Sequence, residues 1–234
     1  KAGRVLAMFN AIAPTYELVN TVFSVGRDRA WRRKSVALTE PQPTDRVLDI
    51  ACGTGDMVRA FQGLDAPPRR LVGCDFATGM LSRAARRSRG DLNWVQADAL
   101  ALPFDSSAFS IISCAFGVRN LQDLDAGLKE MHRVLQPGGR AVILEFTRPA
   151  NRWWRWLYEF YSSRIMPIGA TLVARDRSGA YRYLPRSVVS FADADDMCRR
   201  LLRAGFDKAI ATPMTLGAVT IYLATKERDG PRHT

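Results

Sequence analysis

The feature that most restricts this chain is a run that starts as a strand and ends in glycines, Val47-Leu-Asp-Ile-Ala-Cys-Gly-Thr-Gly-Asp56. A short apolar stretch of this kind suits a strand covered on both faces, as in a parallel sheet. Gly53 and Gly55 then allow a sharp turn and a close approach of backbone to ligand, where a Cβ would clash. The pattern of strand, turn and helix recurs along the chain. Arg70-Leu-Val-Gly-Cys74 leads to Asp75 and a helix over 79–87, and Leu92-Asn-Trp-Val95 leads to Asp98. Ala108-Phe-Ser-Ile-Ile-Ser-Cys114 precedes a helix over 124–135, and a Pro-Gly-Gly turn at 137–139 precedes Arg140-Ala-Val-Ile-Leu-Glu-Phe146. Five such runs predict an α/β fold with a doubly wound, mainly parallel sheet.

Two further runs, 206–211 and 218–225, follow a helix over 193–204 that Gly205 stops. Parallel partners need a crossover of about a dozen residues, and none separates these runs, so they pair antiparallel. The sheet is therefore expected to have seven strands and to end in a C-terminal antiparallel hairpin. The predicted organisation is an N-terminal helical cap over 1–40, a ligand-binding core over 41–147 and a helical, aromatic lid insertion over 148–190. A closing helix and strands over 191–226 and a polar tail over 227–234 complete it. With 234 residues, 47% hydrophobic and 24% charged, the chain suits one α/β domain with appendages.

The chemistry is narrowed by what is scarce. Cys52, Cys74, Cys114 and Cys198 form no Cys-x-x-Cys pair, and His132 and His233 are the two histidines. A reducing, metal-free interior is the simplest expectation, and His-centred triads or multi-His metal centres are nearly excluded. Asp75 follows the second strand, about 20 residues past the glycines, where such folds place a carboxylate on ribose hydroxyls. Val58 stands where a dinucleotide fingerprint needs a third glycine, and no phosphate loop ending Gly-Lys-Ser/Thr is present. An adenosine without phosphate suits this crevice better than NAD, and Asp49 suits a cationic ammonium.

At this point the residues carry a family resemblance. Asp49-Ile-Ala-Cys-Gly-Thr-Gly55, Asp75, Gln96-Ala-Asp-Ala-Leu-Ala-Leu-Pro-Phe104 and His132-Arg-Val-Leu-Gln-Pro-Gly-Gly139 resemble the motif series of class I S-adenosylmethionine-dependent methyltransferases, whose fold is Rossmann-like. Met8-Phe-Asn-Ala-Ile-Ala-Pro-Thr-Tyr-Glu-Leu-Val-Asn20, Trp31-Arg-Arg33, Phe116-Gly-Val-Arg-Asn120 and Tyr181-Arg-Tyr-Leu-Pro-Arg-Ser187 narrow it to the UbiE/MenG family, which C-methylates prenylated quinols. The resemblance runs from about residue 8 to 226.

The resemblance implies S-adenosyl-L-methionine as cofactor. Gly53, Thr54 and Gly55 would hold its methionine part together with Asp49, and Asp75, with Phe76 beside it, would take the ribose. Met80 would pack on the adenine, whose edge Asp98 and Ala99 would meet. The family often has Ser immediately before Phe-Gly-x-Arg-Asn, and this chain has Ala115, which removes one side-chain hydrogen bond to the cofactor. A ring carbon becomes nucleophilic when its hydroquinone loses a proton, so the site must stabilise a phenolate. Arg119 would do so as a permanent cation, Asn120 would orient the oxygen, and Tyr16 and Asn20 would line the same pocket. Plainer roles compete with these. Arg119 and Asn120 could cap the following helix and pair with Asp123, and His132, among Leu128, Met131 and Leu135, reads as a packed or surface histidine.

The net charge of +11 comes from two segments: 1–34 carries 7 basic residues against 2 acidic, and 140–186 carries 9 against 3. Such segments are expected to share a face that addresses something anionic. In 148–174, Trp153, Trp154, Trp156, Tyr158, Phe160 and Tyr161 alternate with arginines. Trp and Tyr favour the membrane interface, and each Arg near an anionic surface contributes about 1 kcal/mol. Together with these segments, the resemblance implies a cytoplasmic setting peripheral to a membrane, with a prenylated quinol as substrate and no nucleic-acid partner, as a homodimer or within a quinone-biosynthesis complex. The alternatives are an RNA or protein methyltransferase on the same scaffold, an NAD(P)-linked oxidoreductase, and an inactive cofactor-binding relative.

Overall fold

The computed structural model describes residues 24, 26–88, 90, 92–149, 153, 154 and 191–228. Tyr16, Asn20, the helices expected before residue 24, and most of the lid expected over 148–190 lie outside the described residues.

Five strands run parallel: β1 (Arg46–Ile50), β2 (Arg70–Asp75), β3 (Asn93–Gln96), β4 (Phe109–Ala115) and β5 (Leu135–Phe146). Two more, β6 (Lys208–Met214) and β7 (Val219–Thr225), complete a seven-stranded sheet ordered β3-β2-β1-β4-β5-β7-β6. The antiparallel pairing of β6 with β7 is the expected hairpin. The insertion of β7 between β5 and β6 was not legible in the sequence. The short 3-10 turn Thr215–Gly217 makes β6 and β7 neighbours, and β7 pairs on its other edge with β5, so that Val219 faces Phe146 on one side and Met214 on the other.

Central β1 and β4 are buried at nearly every position, which explains why their sequences read as continuous apolar runs rather than alternation. The period-2 geometry nonetheless sorts their side chains. Leu48 and Ile50 join Ile112 and Cys114 in the core layer that also holds Leu128, Met131 and Leu201. Val47 and Ile111, a register pair, face the other layer with Trp31, Val58 and Phe61.

Helices α1 (Asp28–Leu38), α2 (Asp56–Gln62) and α3 (Thr78–Arg87) contribute Trp31, Phe61 and Leu81 to that second layer. Helices α4 (Leu124–Val134) and α5 (Ala194–Arg203) contribute Leu128 and Leu201 to the first. Both α4 and α5 start on an aspartate: Asp123 Oδ1 accepts from the Ala126 N–H and Asp193 Oδ1 from the Asp196 N–H. Fully burying a side chain such as Leu48 or Leu128 contributes roughly 1.5–3 kcal/mol, so the two layers dominate stability.

The Pro-Gly-Gly segment is not the turn expected before the fifth strand. β5 already begins at Leu135, and its pairing with β4 jumps from Phe109↔Leu135 to Ile111↔Arg140. Residues 136–139 therefore bulge out of the ladder. The bulge is held from the chain end, since the Gly138 N–H donates to the Lys226 carbonyl and the Lys226 N–H to the Gly139 carbonyl.

Candidate active site

In an open α/β sheet the ligand crevice forms at the carboxyl edge where strand order reverses. Here that point lies between β1 and β4, whose exits are Ala51-Cys-Gly53 and Phe116-Gly117. A largely apolar cavity sits there, lined by Ala51 and Gly53, by Asp75 and Phe76, and by Phe116 and Gly117. Met80, Asp98, Ala99 and Asn120 extend it.

Both strand exits carry unusual backbone. Ala51 (φ 52°) and Phe116 (φ 60°) adopt the left-handed conformation without being glycine. Such strain costs on the order of 1–3 kcal/mol per residue and persists only where packing enforces it. The ring of Phe116 is enforced by Phe146 at 4.5 Å and by Trp31 at 6.4 Å, while its N–H donates to the Leu144 carbonyl. Gly117 has no alternative residue, because a Cβ there would lie 2.7 Å from the Ala51 Cβ and 2.8 Å from the Cys114 Sγ.

The acids behave differently from one another. Asp75 Oδ2 accepts from the Gly53 N–H at 2.8 Å and Oδ1 from the Ala77 N–H at 2.9 Å, so one carboxylate ties the glycine turn to the start of α3. Burial raises its pKa against those hydrogen bonds. Asp49 lies on the α1/α2 side of the sheet, does not line the cavity, and accepts a hydrogen bond from the Ser113 hydroxyl at 2.7 Å. Burial pushes its carboxyl up to about 7, with the Ser113 bond and Arg32 opposing. Asp98 Oδ1 accepts from the Leu100 N–H at the far end of the crevice.

Thr54 and Gly55 follow Gly53 in the turn without lining the cavity. Thr54 is buried, and its hydroxyl has no hydrogen-bond partner. Gly55 (φ 83°) starts α2, and the space beside it belongs to Trp94, whose ring a Cβ would meet at 2.5 Å. Glycine at 55 thus has a packing and turn-geometry reason of its own. Ala115 ends β4, half-buried and outside the cavity lining.

Arg119 departs most from expectation. It is neither an uncompensated cation nor a partner of Asp123, which instead caps α4. Its Nη1 donates to Glu145 Oε1 at 2.5 Å and to the Phe116 carbonyl at 2.7 Å, with the guanidinium over the Phe146 ring. Glu145 is fully buried in β5, and its other oxygen faces the Arg119 N–H. Burial raises the Glu145 pKa, with Arg119 as the main opposing influence. Asn120 lines the cavity, and its Nδ2 reaches the Phe116 carbonyl at 3.4 Å. His132 stands edge-on to Phe206 at 5.2 Å, in agreement with its reading as a packed histidine.

Sequence reasoning missed Glu145 and Arg32. The signal for Glu145 was a lone acid in an otherwise apolar strand, a residue type almost never fully buried unless paired. Arg32 is also buried, and its guanidinium lies 5.3 Å from the Phe116 ring.

The orphaned Thr54 hydroxyl, the Gly53/Gly117 cradle and the Asp75 carboxylate fit an adenosyl amino acid, and with this sheet order they define a class I S-adenosylmethionine-dependent methyltransferase. The fold is matched by a chain of a complex between the Haloferax volcanii Trm112 methyltransferase activator and a methyltransferase. That match has a TM-score of 0.69 and 16% identity, and covers 94% of this chain and 98% of that one. The chain belongs to the ubiE/COQ5 methyltransferase family, whose model matches residues 1–226. It is 38% identical over 231 residues to the ubiquinone/menaquinone biosynthesis C-methyltransferase UbiE of Geobacter sulfurreducens, covering 97% of this chain and 90% of that protein. It is 37% identical to the protein of the same description in Geotalea daltonii, covering 97% of both.

Proposed function

We propose that this protein C-methylates the ring of a prenylated quinol, a demethylmenaquinol or related benzoquinol, in quinone biosynthesis. The observation that carries this reading is that Asn120 lines the same crevice as Asp75 and Gly53, with the buried Arg119–Glu145 pair behind it, Arg119 and Asn120 both reaching the Phe116 carbonyl. The similarity to curated UbiE C-methyltransferases over 97% of the chain supports it.

When bound, S-adenosylmethionine supplies an electrophilic methyl and a neutral thioether leaving group. In this reading Asp75 receives the ribose hydroxyls on the lone pairs its backbone bonds leave open, and Thr54 gives its orphaned hydroxyl to the amino-acid end. Asp98 and Ala99 meet the adenine edge, and Met80 packs on its face. Asn120 directs the quinol oxygen. Arg119, held by Glu145, keeps one fixed orientation and favours the phenolate electrostatically without adding net charge to a dry site. Fixing the methyl against the ring carbon contributes on the order of 7–11 kcal/mol by proximity alone. Tyr16 is assigned to the quinol side on the family resemblance alone.

The quinol tail requires work at a lipid surface, and we place the protein on the cytoplasmic side as a peripheral protein. Trp153 (80% exposed) and Trp154 (43% exposed) support that placement, as do the two cationic segments. No helix among the described residues is long and apolar enough to cross a membrane.

The test is incubation of purified protein with methyl-labelled S-adenosylmethionine and short-tailed demethylmenaquinol or demethyl-benzoquinol. Label on a ring carbon is expected; label on oxygen only, or on neither quinol, overturns the reading. Sedimentation with vesicles should show binding that depends on anionic lipid.

A further inference from the structure

Arg32 lies on the buried face of α1 with Trp31, Ser35 and Val36. Two carboxylates face it: Asp49 in β1, and Asp56 at the start of α2, whose Oδ2 is 3.8 Å from Nη2. Asp56 is shared with Arg59 and Arg87. The charge of Arg32 is thus opposed, yet hydrogen bonds to these acids do not account for its place. A separation of 3.8 Å is beyond their reach, and its Nε, a buried donor, has no acceptor. The guanidinium also meets the ring of Phe116, at 5.3 Å from the centroid.

Taking a charge out of water is costly, and an apolar side chain would pack on that ring without the cost. A desolvated cation adds what a hydrocarbon cannot, attraction to the π face. Phe116 is where such a hold matters. Its backbone is left-handed (φ 60°), a conformation that a bulky residue keeps only under enforcement. Its carbonyl accepts from Arg119 Nη1 at 2.7 Å and from Asn120 Nδ2 at 3.4 Å. Its ring packs on Phe146 at 4.5 Å, and the Arg119 guanidinium lies 5.5 Å from the Phe146 ring. An arginine, two phenylalanines and a second arginine therefore form one column, with Asp49 and Asp56 at one end and Glu145 at the other.

We propose that Arg32 is a positioning residue for methyl transfer, acting through Phe116 to hold the carbonyl on which Arg119 and Asn120 are both anchored. The part those two residues play rests on the quinol reading above. Arg32 does not line the cofactor cavity and acts only through its neighbours.

The experiment uses the intact chain. Methyl transfer to short-tailed demethylmenaquinol and demethyl-benzoquinol is measured at saturating S-adenosylmethionine, which sets aside any change in cofactor affinity through Asp49. In Arg32→Met, kcat is expected to fall roughly tenfold with the quinol KM within about twofold. Phe116→Leu removes the ring, and adding Arg32→Met to it should cost little more, because the route is already cut. The side-chain amide NMR signals of Asn120, recorded in the protein alone, are expected to shift in Arg32→Met and to stay in place in Arg200→Met, which removes a charge from α5. Arg32→Lys keeps a charge opposite Asp49 and Asp56 without the flat fork and guards against loss of folding. Its turnover and Asn120 signals should depart from the parent in the same direction, by less. If the parent methylates neither quinol, the quinol reading fails, and the Asn120 signals, which need no substrate, still decide the role of Arg32. Independent losses in the double variant, unmoved Asn120 signals in both Arg32 variants, or a lower melting temperature with parental kcat overturns the proposal.

Discussion

Arg119 and Glu145 meet as an ion pair closed to water, with 6% and 0% of their side chains exposed and 2.5 Å between Nη1 and Oε1. Two charges are removed from solvent in a site that must also manage a developing negative charge on substrate. Breaking such a pair from one side leaves an uncompensated buried charge, at a cost of about 3–5 kcal/mol. Glu145→Gln and Arg119→Met are each expected to lower unfolding free energy by that order. The double variant should cost less than their sum, because neither charge is then stranded. Additive losses in urea denaturation would show that the pair is not a unit. Glu145→Gln should also reduce turnover while leaving cofactor affinity nearly intact, since Glu145 does not line the cofactor cavity.

Thr54 gives a prediction of opposite signs. Its hydroxyl is buried and unpartnered, so Thr54→Val, which keeps the shape, removes a polar group that costs about 1–3 kcal/mol when unsatisfied. The free protein should melt at an equal or higher temperature. S-adenosylmethionine should bind roughly tenfold more weakly, as expected for about 1.4 kcal/mol of lost hydrogen bonding. Unchanged affinity by calorimetry would remove Thr54 from the cofactor site.

Asp75 joins two jobs that a substitution can separate. Asp75→Asn keeps an oxygen for one backbone N–H but loses the charge that strengthens both bonds and the proposed ribose contacts. Charge-assisted hydrogen bonds contribute about 1.5–3 kcal/mol, so affinity for S-adenosylmethionine should fall by on the order of 10 to 150-fold. Methionine itself, which has no ribose, should bind the variant and the parent alike. An equal loss for both ligands would mean that the glycine turn, rather than the ribose contact, had failed.

The parts of this site that sequence revealed are those governed by local rules. The strand ending at Asp49, the glycine turn and Asp75 share one βαβ unit whose geometry fixes their spacing. The Arg119–Glu145 pair joins residues 26 apart on different elements, and nothing in local periodicity states that β4 and β5 set them face to face. The same limit applies to Trp94, whose ring from β3 fills the space beside Gly55. It applies again to Pro137-Gly-Gly139, a turn signal by composition that Lys226 holds as a bulge. Asp56, which Arg32, Arg59 and Arg87 approach from α1, α2 and α3, escaped notice because the sheet determines the order of those helices in space.

Asp49 makes stability depend on pH in a direction that can be worked out. Burial raises its folded-state pKa from 3.8 to about 7. Between those values the unfolded chain has released the proton and the folded chain retains it, so raising pH favours unfolding. The contribution is fully present below the unfolded value and is lost as pH rises toward the folded one, about 4 kcal/mol in all at 1.36 kcal/mol per unit. Asp49→Asn keeps an acceptor for the Ser113 hydroxyl and removes the titration. Its unfolding free energy relative to the parent should therefore grow between pH 4.5 and 8, with the variant the more stable at the alkaline end. If Asp49 also meets the cofactor ammonium, it must ionise to bind, and cofactor affinity in the parent should fall towards tenfold per unit as pH drops below about 7. Denaturation curves for parent and variant that run parallel across this range would mean that Asp49 is already ionised in the folded protein at acid pH.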